Sequence, residues 1–426
     1  MGPQRAVAGI ARRALLRYAR GGRKGLRLEA DPPVTILLSS AWGMGGTIRA
    51  AINLAGYLAP RHEVEILSVI RRRDTSFFGE FPPGITVTAL DDERPGAPRG
   101  TAERMLRPLL RRLPSLLMHP ADRNAPFNSL WSDINMVRQL RGRTGILIGT
   151  RPGLNYIAAR MTLPTLATVG LEQMHLHHHV PRLKQAMRRE YGAFDAFVVL
   201  TETDIGNYTK HLGKRAPRLV VIPNTVRPLG GDAPDLAAKH VFAAGRLVPQ
   251  KGFDMLIPAW AQVAADHPDW RLRICGYGKH QARYEGLIAT HGLEDVVSLE
   301  PATSDIGADM AKASIFALSS RFEGFPLILL EAMSKGMSVV AFDCPTGPAD
   351  IIDHGRNGVL VPPKDIDAFA RGLRTLIEDE DLRRRCGAAA VDTARLHTIE
   401  AIGPRWDELL AELVATRRGQ ASPVGR

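Results

Sequence analysis

Two glutamates eight positions apart, Glu323 and Glu331, stand in residues 319–348, SSRFEGFPLILLEAMSKGMSVVAFDCPTGP, which are otherwise mostly apolar or turn-forming. Glu323 falls in a Ser/Arg/Gly/Pro turn after the apolar run 315–318. Glu331 lies inside LILLEAM, where Pro326 suits a first helical turn because its missing N–H would have no partner there. Leu327, Ile328, Leu329 and Leu330 are apolar around the whole circumference, so this helix is expected to be buried on most sides. An ionised carboxylate entering such surroundings is costly unless it is paired or hydrogen-bonded. An internal arginine or backbone N–H meets that need as well as a bound ligand does.

Cations stand elsewhere in the same half. Arg246 and Lys251, in GRLVPQKG (245–252), follow the strand-like run KHVFAAG (239–245) and precede a helical pattern. Cations between a strand end and a helix start suit a diphosphate, whose charge they share with helix N–H groups. Solvated surface arginines and lysines are the plain alternative. Gly276 and Gly278, around Tyr277, end the next strand and would let a flat ligand approach the backbone. In the first half, Gly43, Gly45 and Gly46 make a turn between a strand and a helix from about Thr47. That arrangement can cradle an anion or a sugar, although tight turns use glycine without any ligand.

Residues 171–180, LEQMHLHHHV, gather Glu172 with His175, His177, His178 and His179. A metal needs ligands of defined geometry, usually from several segments, and neither HExxH nor paired cysteines accompany these. Ligands of open α/β sheets bind beyond the carboxyl ends of strands. A histidine facing substrate, with His175 the first candidate, and a solvated loop are the two readings kept. The acidic triplets 365–367 and 379–381 look superficially like metal motifs. Asp365 is better read as a helix cap and 379–381 as a charged turn between helices, so no metal site is expected.

Rigid elements must aim these residues. Strand-like runs at 34–40, 63–70, 85–90, 145–150, 165–170, 196–201 and 219–224 alternate with helical patterns, as in a parallel sheet covered on both faces. Residues 226–238 are rich in Pro and Gly and read as a linker. A second alternating series runs from 239 to about 398 through WRLRICG, VVSLEP, IFALSS, VVAFD and GVLVPP. The expected division is an extension (1–31), a first Rossmann-like domain (32–225), the linker (226–238), a second such domain (239–398), and a last helix with tail (399–426) that crosses back. Residues 91–130 break the rhythm. They read as an irregular insertion with an apolar and basic surface, a candidate contact for membrane or acceptor.

The 426 residues are 45% apolar and 23% charged, with room for two cores. Apolar runs are strand-sized, well below the roughly 18 to 20 residues that cross a bilayer. Three scattered cysteines point to a reducing compartment, hence to cytoplasm. The net charge of +12 is uneven: residues 1–225 hold 33 Lys/Arg against 17 Asp/Glu, and the remainder carries a small negative excess. Nucleic acid, an anionic membrane or an anionic acceptor would each suit the basic half. Aromatic residues are few, at 6%, and no RNA or DNA module is visible, so nucleic acid is not expected. Residues 1–28 carry eight basic and no acidic side chains. Val7, Ile10, Ala11, Ala14, Leu15 and Tyr18 share one helix face, the pattern of a basic amphipathic helix on a membrane surface. A solvated tail and a targeting peptide are the alternatives.

GRLVPQKG, the GYG turn and above all EGFPLILLEAMSKGMSVVAFDCPTGPADII with NGVLVPPKD resemble glycosyltransferase family 4. The first half is similar more loosely, in GMGG, LTETD and VIPNTV. The resemblance implies the α/β GT-B fold, two facing Rossmann-like domains with parallel sheets and a cleft. It also implies retaining, metal-independent transfer of a hexose from a nucleotide diphosphate sugar, expected to be a UDP-sugar, with no further cofactor. In the family's pattern Arg246 and Lys251 hold the diphosphate, Glu331 the ribose hydroxyls, and Glu323 stands by the hexose. Gly324 and Phe325 offer amides, Gly45 and Gly46 approach from the first domain, and His175 contacts the donor sugar. The expected acceptor is a glycan or lipid-linked sugar in polysaccharide or glycoconjugate synthesis, at the inner face of the cell membrane. An epimerase or hydrolase on the same fold, and a non-catalytic binder of anionic polymers, are the competing readings.

Overall fold

The computed structural model describes residues 3–21, 28–161, 163, 165–227, 229–303 and 305–419; for residues 3–7 it describes the backbone. The chain divides into two compact units, residues 1–222 with 403–426, and residues 223–402.

The first unit holds seven parallel strands: β1 (Val34–Leu38), β2 (Val64–Arg71), β3 (Ile85–Asp92), β4 (Gly145–Gly149), β5 (Leu166–Leu171), β6 (Ala196–Val199) and β7 (Arg218–Val221). Their order is β3-β2-β1-β4-β5-β6-β7. All seven were legible as runs, the central five because strands covered on both faces read as continuous Val/Ile/Leu stretches, while the edge strands β3 and β7 are less buried. In register, Ile36 stands between Ile66 and Ile148, all fully buried. The second unit repeats the plan with β8 (His240–Ala244), β9 (Arg271–Cys275), β10 (Val297–Glu300), β11 (Ile315–Leu318), β12 (Ser338–Phe342) and β13 (Val359–Val361), in the order β10-β9-β8-β11-β12-β13. Each sheet therefore reverses direction once, between β1 and β4 and between β8 and β11. At such a switch point the loops after neighbouring strands part, leaving a crevice at the carboxyl ends.

Four helices of the first unit matter below: α1 (Pro3–Arg20), α2 (Gly46–Leu58), α3 (Thr101–Leu110) and α4 (Leu130–Leu140). The amphipathic helix expected near the N-terminus forms as α1, but a different side of it faces inward. Leu16 and Ala19 enter the first unit's core while Ile10 and Tyr18 stay exposed. The Arg141 guanidinium covers the Tyr18 ring at 4.3 Å, and its Nε donates to the Gly21 carbonyl at 2.9 Å. Residues 22–27 of the expected extension and 420–426 of the tail lie outside the described residues.

Other departures have local causes. The insertion at 91–130 contains a regular helix, α3, hidden in the sequence by Pro108 and by apolar residues that point outward. The linker-like residues are tied down within the second unit. Lys335 Nζ donates to the Gly230 and Gly231 carbonyls, and Arg383 Nε to that of Leu236. The last helix, Ile399–Arg417, starts in the second unit and returns the chain to the first. There Tyr57 and Arg61 both donate to Asp407 at 2.6 Å, and Arg417 pairs with Asp195 at 2.8 Å. Among the described residues no helix is long and apolar enough to cross a membrane.

Candidate active site

In the second unit the chemistry-bearing residues gather where β8 and β11 part. Phe316 pairs with Phe242 across these strands, so the segments after them emerge side by side. The segment after β8 makes a single tight turn, Pro249–Lys251, and enters the helix Phe253–Asp266 through Gly252. Gly252 has a φ of 67°, and a Cβ there would overlap the Ser319 carbonyl, so this close crossing requires glycine. Ser319 Oγ donates to the Lys251 carbonyl at 2.9 Å, and Arg321 N to that of Gln250 at 2.7 Å. These bonds lock the two loops together.

The result is a charged pair 72 positions apart in sequence: Lys251 Nζ donates to Glu323 Oε1 at 2.7 Å, with both side chains largely buried. Ser320 Oγ donates to the same oxygen at 2.5 Å. Arg246 is exposed and donates to Gln250 Oε1 at 3.3 Å, while Gln250 Nε2 donates to the Phe322 carbonyl. Arg246, Lys251 and Glu323 thus belong to one constellation. Ser320 and Gln250 were not singled out by sequence, since nothing local separates them from ordinary turn residues. Beneath, burial pushes the Cys344 thiol up, helped by the Glu323 charge, and leaves it an inert thiol.

Glu331 sits on the helix Leu327–Ser334, buried with Leu327, Leu329 and Leu330 as its surroundings in sequence require. Gly324 and Phe325 precede this helix, and Thr346 Oγ1 donates to the Gly324 carbonyl at 3.3 Å. Gly276 and Gly278 acquire a different reason from ligand approach. A Cβ on Gly276 would overlap the Gly245 carbonyl, and one on Gly278 would meet the Leu247 carbonyl oxygen at 2.5 Å. They let the loops after β8 and β9 touch. Asp365 caps a helix as the sequence suggested, accepting from Ala368 N, and Asp379, read as part of a charged turn, also caps one, accepting from Leu382 N.

In the first unit the corresponding edge is furnished differently. Gly45 and Gly46 open α2, Gly45 with a φ of 151°. Beside them, at the ends of β1 and β2, is a cavity of about 200 Å³ lined by Ser39, Ser40, Thr47, Arg72, Asn124 and Arg151 among others. Arg151 follows β4 almost directly, a position that could have drawn notice; Asn124 gave no sequence signal. After β5, Glu172 shapes the histidine loop. Its Oε1 accepts from Gln173 N and Met174 N, and its Oε2 accepts from the Tyr208 hydroxyl at 3.0 Å and lies 3.3 Å from His179 Nε2. His175 and His179 are buried and His177 is exposed. Burial, reinforced by the neighbouring histidines, lowers the His175 pKa to about 4 and keeps the ring neutral near pH 7. The His175 ring centroid lies 6.4 Å from that of His177 and 6.0 Å from that of His178, and those of His178 and His179 are 6.1 Å apart. Among the described residues no three His, Cys, Asp or Glu are grouped to hold a metal.

The family model of glycosyl transferases group 1 matches residues 234–393, the segment that carries this pair. An uncharacterized glycosyltransferase of Haemophilus influenzae is 30% identical over 261 residues, covering 59% of this chain and 74% of that protein. The chain belongs to the group 1 glycosyltransferases. This glycosyltransferase is also 38% identical, over 396 residues and 90% of its length, to an exopolysaccharide phosphotransferase of Streptomyces coelicolor. It spans 41% of that relative. The pneumococcal O-GlcNAc transferase GtfA, solved with UDP and GlcNAc, superposes with a TM-score of 0.69 at 15% identity, over 90% of this chain and 99% of the other. At that identity the likeness shows the fold, which is GT-B, two parallel-sheet Rossmann-like domains.

Proposed function

We propose that this glycosyltransferase is retaining and metal-independent, and that it moves a hexose from a nucleotide diphosphate sugar to a glycan or lipid-linked acceptor in cell-surface polysaccharide synthesis. The Lys251–Glu323 pair at the β8/β11 switch point, with exposed Arg246 beside it, carries the reading. The bound UDP of the solved O-GlcNAc transferase and the exopolysaccharide relative lend support for a UDP-sugar and for the pathway class.

Transfer breaks the bond between the anomeric carbon and the diphosphate oxygen, and the electron pair leaves with the diphosphate. Arg246 and Lys251 meet that growing negative charge. A fixed donor of this kind contributes about 3 to 4 kcal/mol to the transition state. Glu323 faces the positive charge that develops on the sugar, and Ser320 fixes its orientation. Glu331 accepts from the ribose hydroxyls. In the first unit, Gly45 and Gly46 approach the donor and neutral His175 contacts its sugar. The acceptor oxygen bonds the anomeric carbon on the face the diphosphate leaves, and its proton passes to a diphosphate oxygen. Residues 1–28 add a contact with an anionic membrane at the inner face.

Arg246→Ala, Lys251→Ala and Glu331→Ala are each expected to lower transfer about tenfold or more, measured with labelled UDP-sugars and an isolated lipid-linked acceptor. Near wild-type rates in all three would sink the reading. Transfer is expected to persist in excess chelator; a loss that a divalent ion restores would overturn metal independence.

A second reading, suggested by the name of the 38% identical exopolysaccharide phosphotransferase, is that this chain moves a sugar together with a phosphate. A donor labelled on the sugar-proximal phosphate separates the two. Label left on the nucleoside diphosphate supports glycosyl transfer, and label in the polymer supports phosphosugar transfer.

A further inference from the structure

Helix α3 is built inside out. Its inward face is ionic: Arg107, 8% exposed, donates from Nε to Asp91 Oδ1 at 2.7 Å and from Nη2 to the Asp92 carbonyl at 3.1 Å. One turn further, Arg111 pairs with Asp91 at 2.9 Å and with Glu93 at 2.5 Å. Asp91 and Asp92 end β3, the outermost strand of its sheet, and Glu93 follows directly. Outward stand Met105, 74% exposed, Leu106 at 49%, Leu109 at 62% and, just past the helix, Leu113 at 44%. A surface helix ordinarily does the reverse. Buried ion pairs add little net stability, and exposed large apolar side chains add none. Packing within the chain therefore leaves this face unexplained.

Charge indicates what covers it. Exposed Arg104 and Arg112 border the apolar side chains, and residues 1–225 carry a strong basic excess. Helix α1, which packs against α4 as α3 does, likewise exposes Ile10 and Tyr18 together with Arg13 and Arg17. A helix lying in a bilayer interface has this composition, apolar on one side with arginines that reach lipid phosphates. We infer that α3 docks on an anionic lipid surface, with Met105, Leu106 and Leu109 entering the acyl boundary and Arg104 and Arg112 meeting the headgroups. This surface is separate from the transfer site, so its test does not depend on activity.

The full chain is sedimented with vesicles of phosphatidylcholine alone or with about 30% phosphatidylglycerol. Wild type is expected to bind the anionic vesicles, less so in high salt. The triple variant Met105→Ser, Leu106→Ser, Leu109→Ser is expected to bind about tenfold more weakly or worse, with α1 intact and urea unfolding unchanged because these side chains are exposed. Equal binding by the triple variant, or no preference of wild type for anionic vesicles, overturns the inference. So does a wild-type dimer that the triple variant converts to monomer without any vesicle binding, since a second copy would then own this face. As a separate readout, tryptophan fluorescence of Leu109→Trp should shift to the blue on adding anionic vesicles, and an unmoved spectrum counts against docking.

Discussion

The carboxyl ends of the two sheets share one topology, a single reversal of strand order, and are furnished differently. At β8/β11 a lysine and a glutamate are in contact, a serine is fixed on the glutamate, and an arginine stands exposed beside them. At β1/β4 the cavity is lined by hydroxyls, amides, Arg72, Arg151 and apolar side chains such as Leu38, Val69 and Phe127, and in the loop after β5 burial keeps His175 uncharged near pH 7. Under the proposed transfer the difference fits a division of labour. A leaving diphosphate needs charge already in place, because fixed groups stabilise it without reorganisation. In the proposed reaction a neutral hydroxyl acceptor and a sugar ring need orientation, which hydroxyls and amides can supply without an ion pair.

If that division is real, charge changes at the second edge should hurt most. Glu323→Gln keeps the shape and removes the charge, and transfer should fall about a hundredfold in steady-state assays, with donor binding by calorimetry little changed. A loss of tenfold or less would mean that Glu323 serves Lys251 rather than the reaction. Ser320→Ala removes one hydrogen bond to a charged group, and a fall of about tenfold is expected; an unchanged rate would show that Lys251 alone orients the carboxylate.

The smallest effect belongs to the first edge and reads out as stability. His175 has a folded pKa of about 4, below its usual value near 6.5. Between these limits the unfolded chain takes up a proton that the folded chain does not. Its contribution is therefore present above pH 6.5 and is lost as pH falls toward 4. Urea unfolding at pH 7 and pH 5 should show wild type losing on the order of 1 to 2 kcal/mol more than His175→Asn, after allowance for solvent screening. Parallel losses would mean that His175 titrates normally.

Much of the fold and part of the site could be read from residues alone. The thirteen strands were visible as apolar runs, because most of these parallel strands bury both faces and need no distant information to be recognised. The burial of Glu331 followed from its four apolar predecessors, and the capping role of Asp365 from the helical pattern after it. Helix α3 was hidden, because sequence patterns assume that apolar residues face inward and here Arg107 and Arg111 do so instead. The reasons for Gly252, Gly276 and Gly278 are backbone contacts with loops remote in sequence, and no local pattern contains them.

The sequence by itself determined which segments become strands and helices, and which residue types stand at their ends, because hydrophobic period and turn chemistry act over a few residues. Only the tertiary structure decided that Lys251 meets Glu323, that Ser320 and Gln250 complete their setting, and that α3 turns its leucines to solvent. Each of these depends on which strands lie side by side and which strand is outermost. That choice is made by the packing of whole sheets.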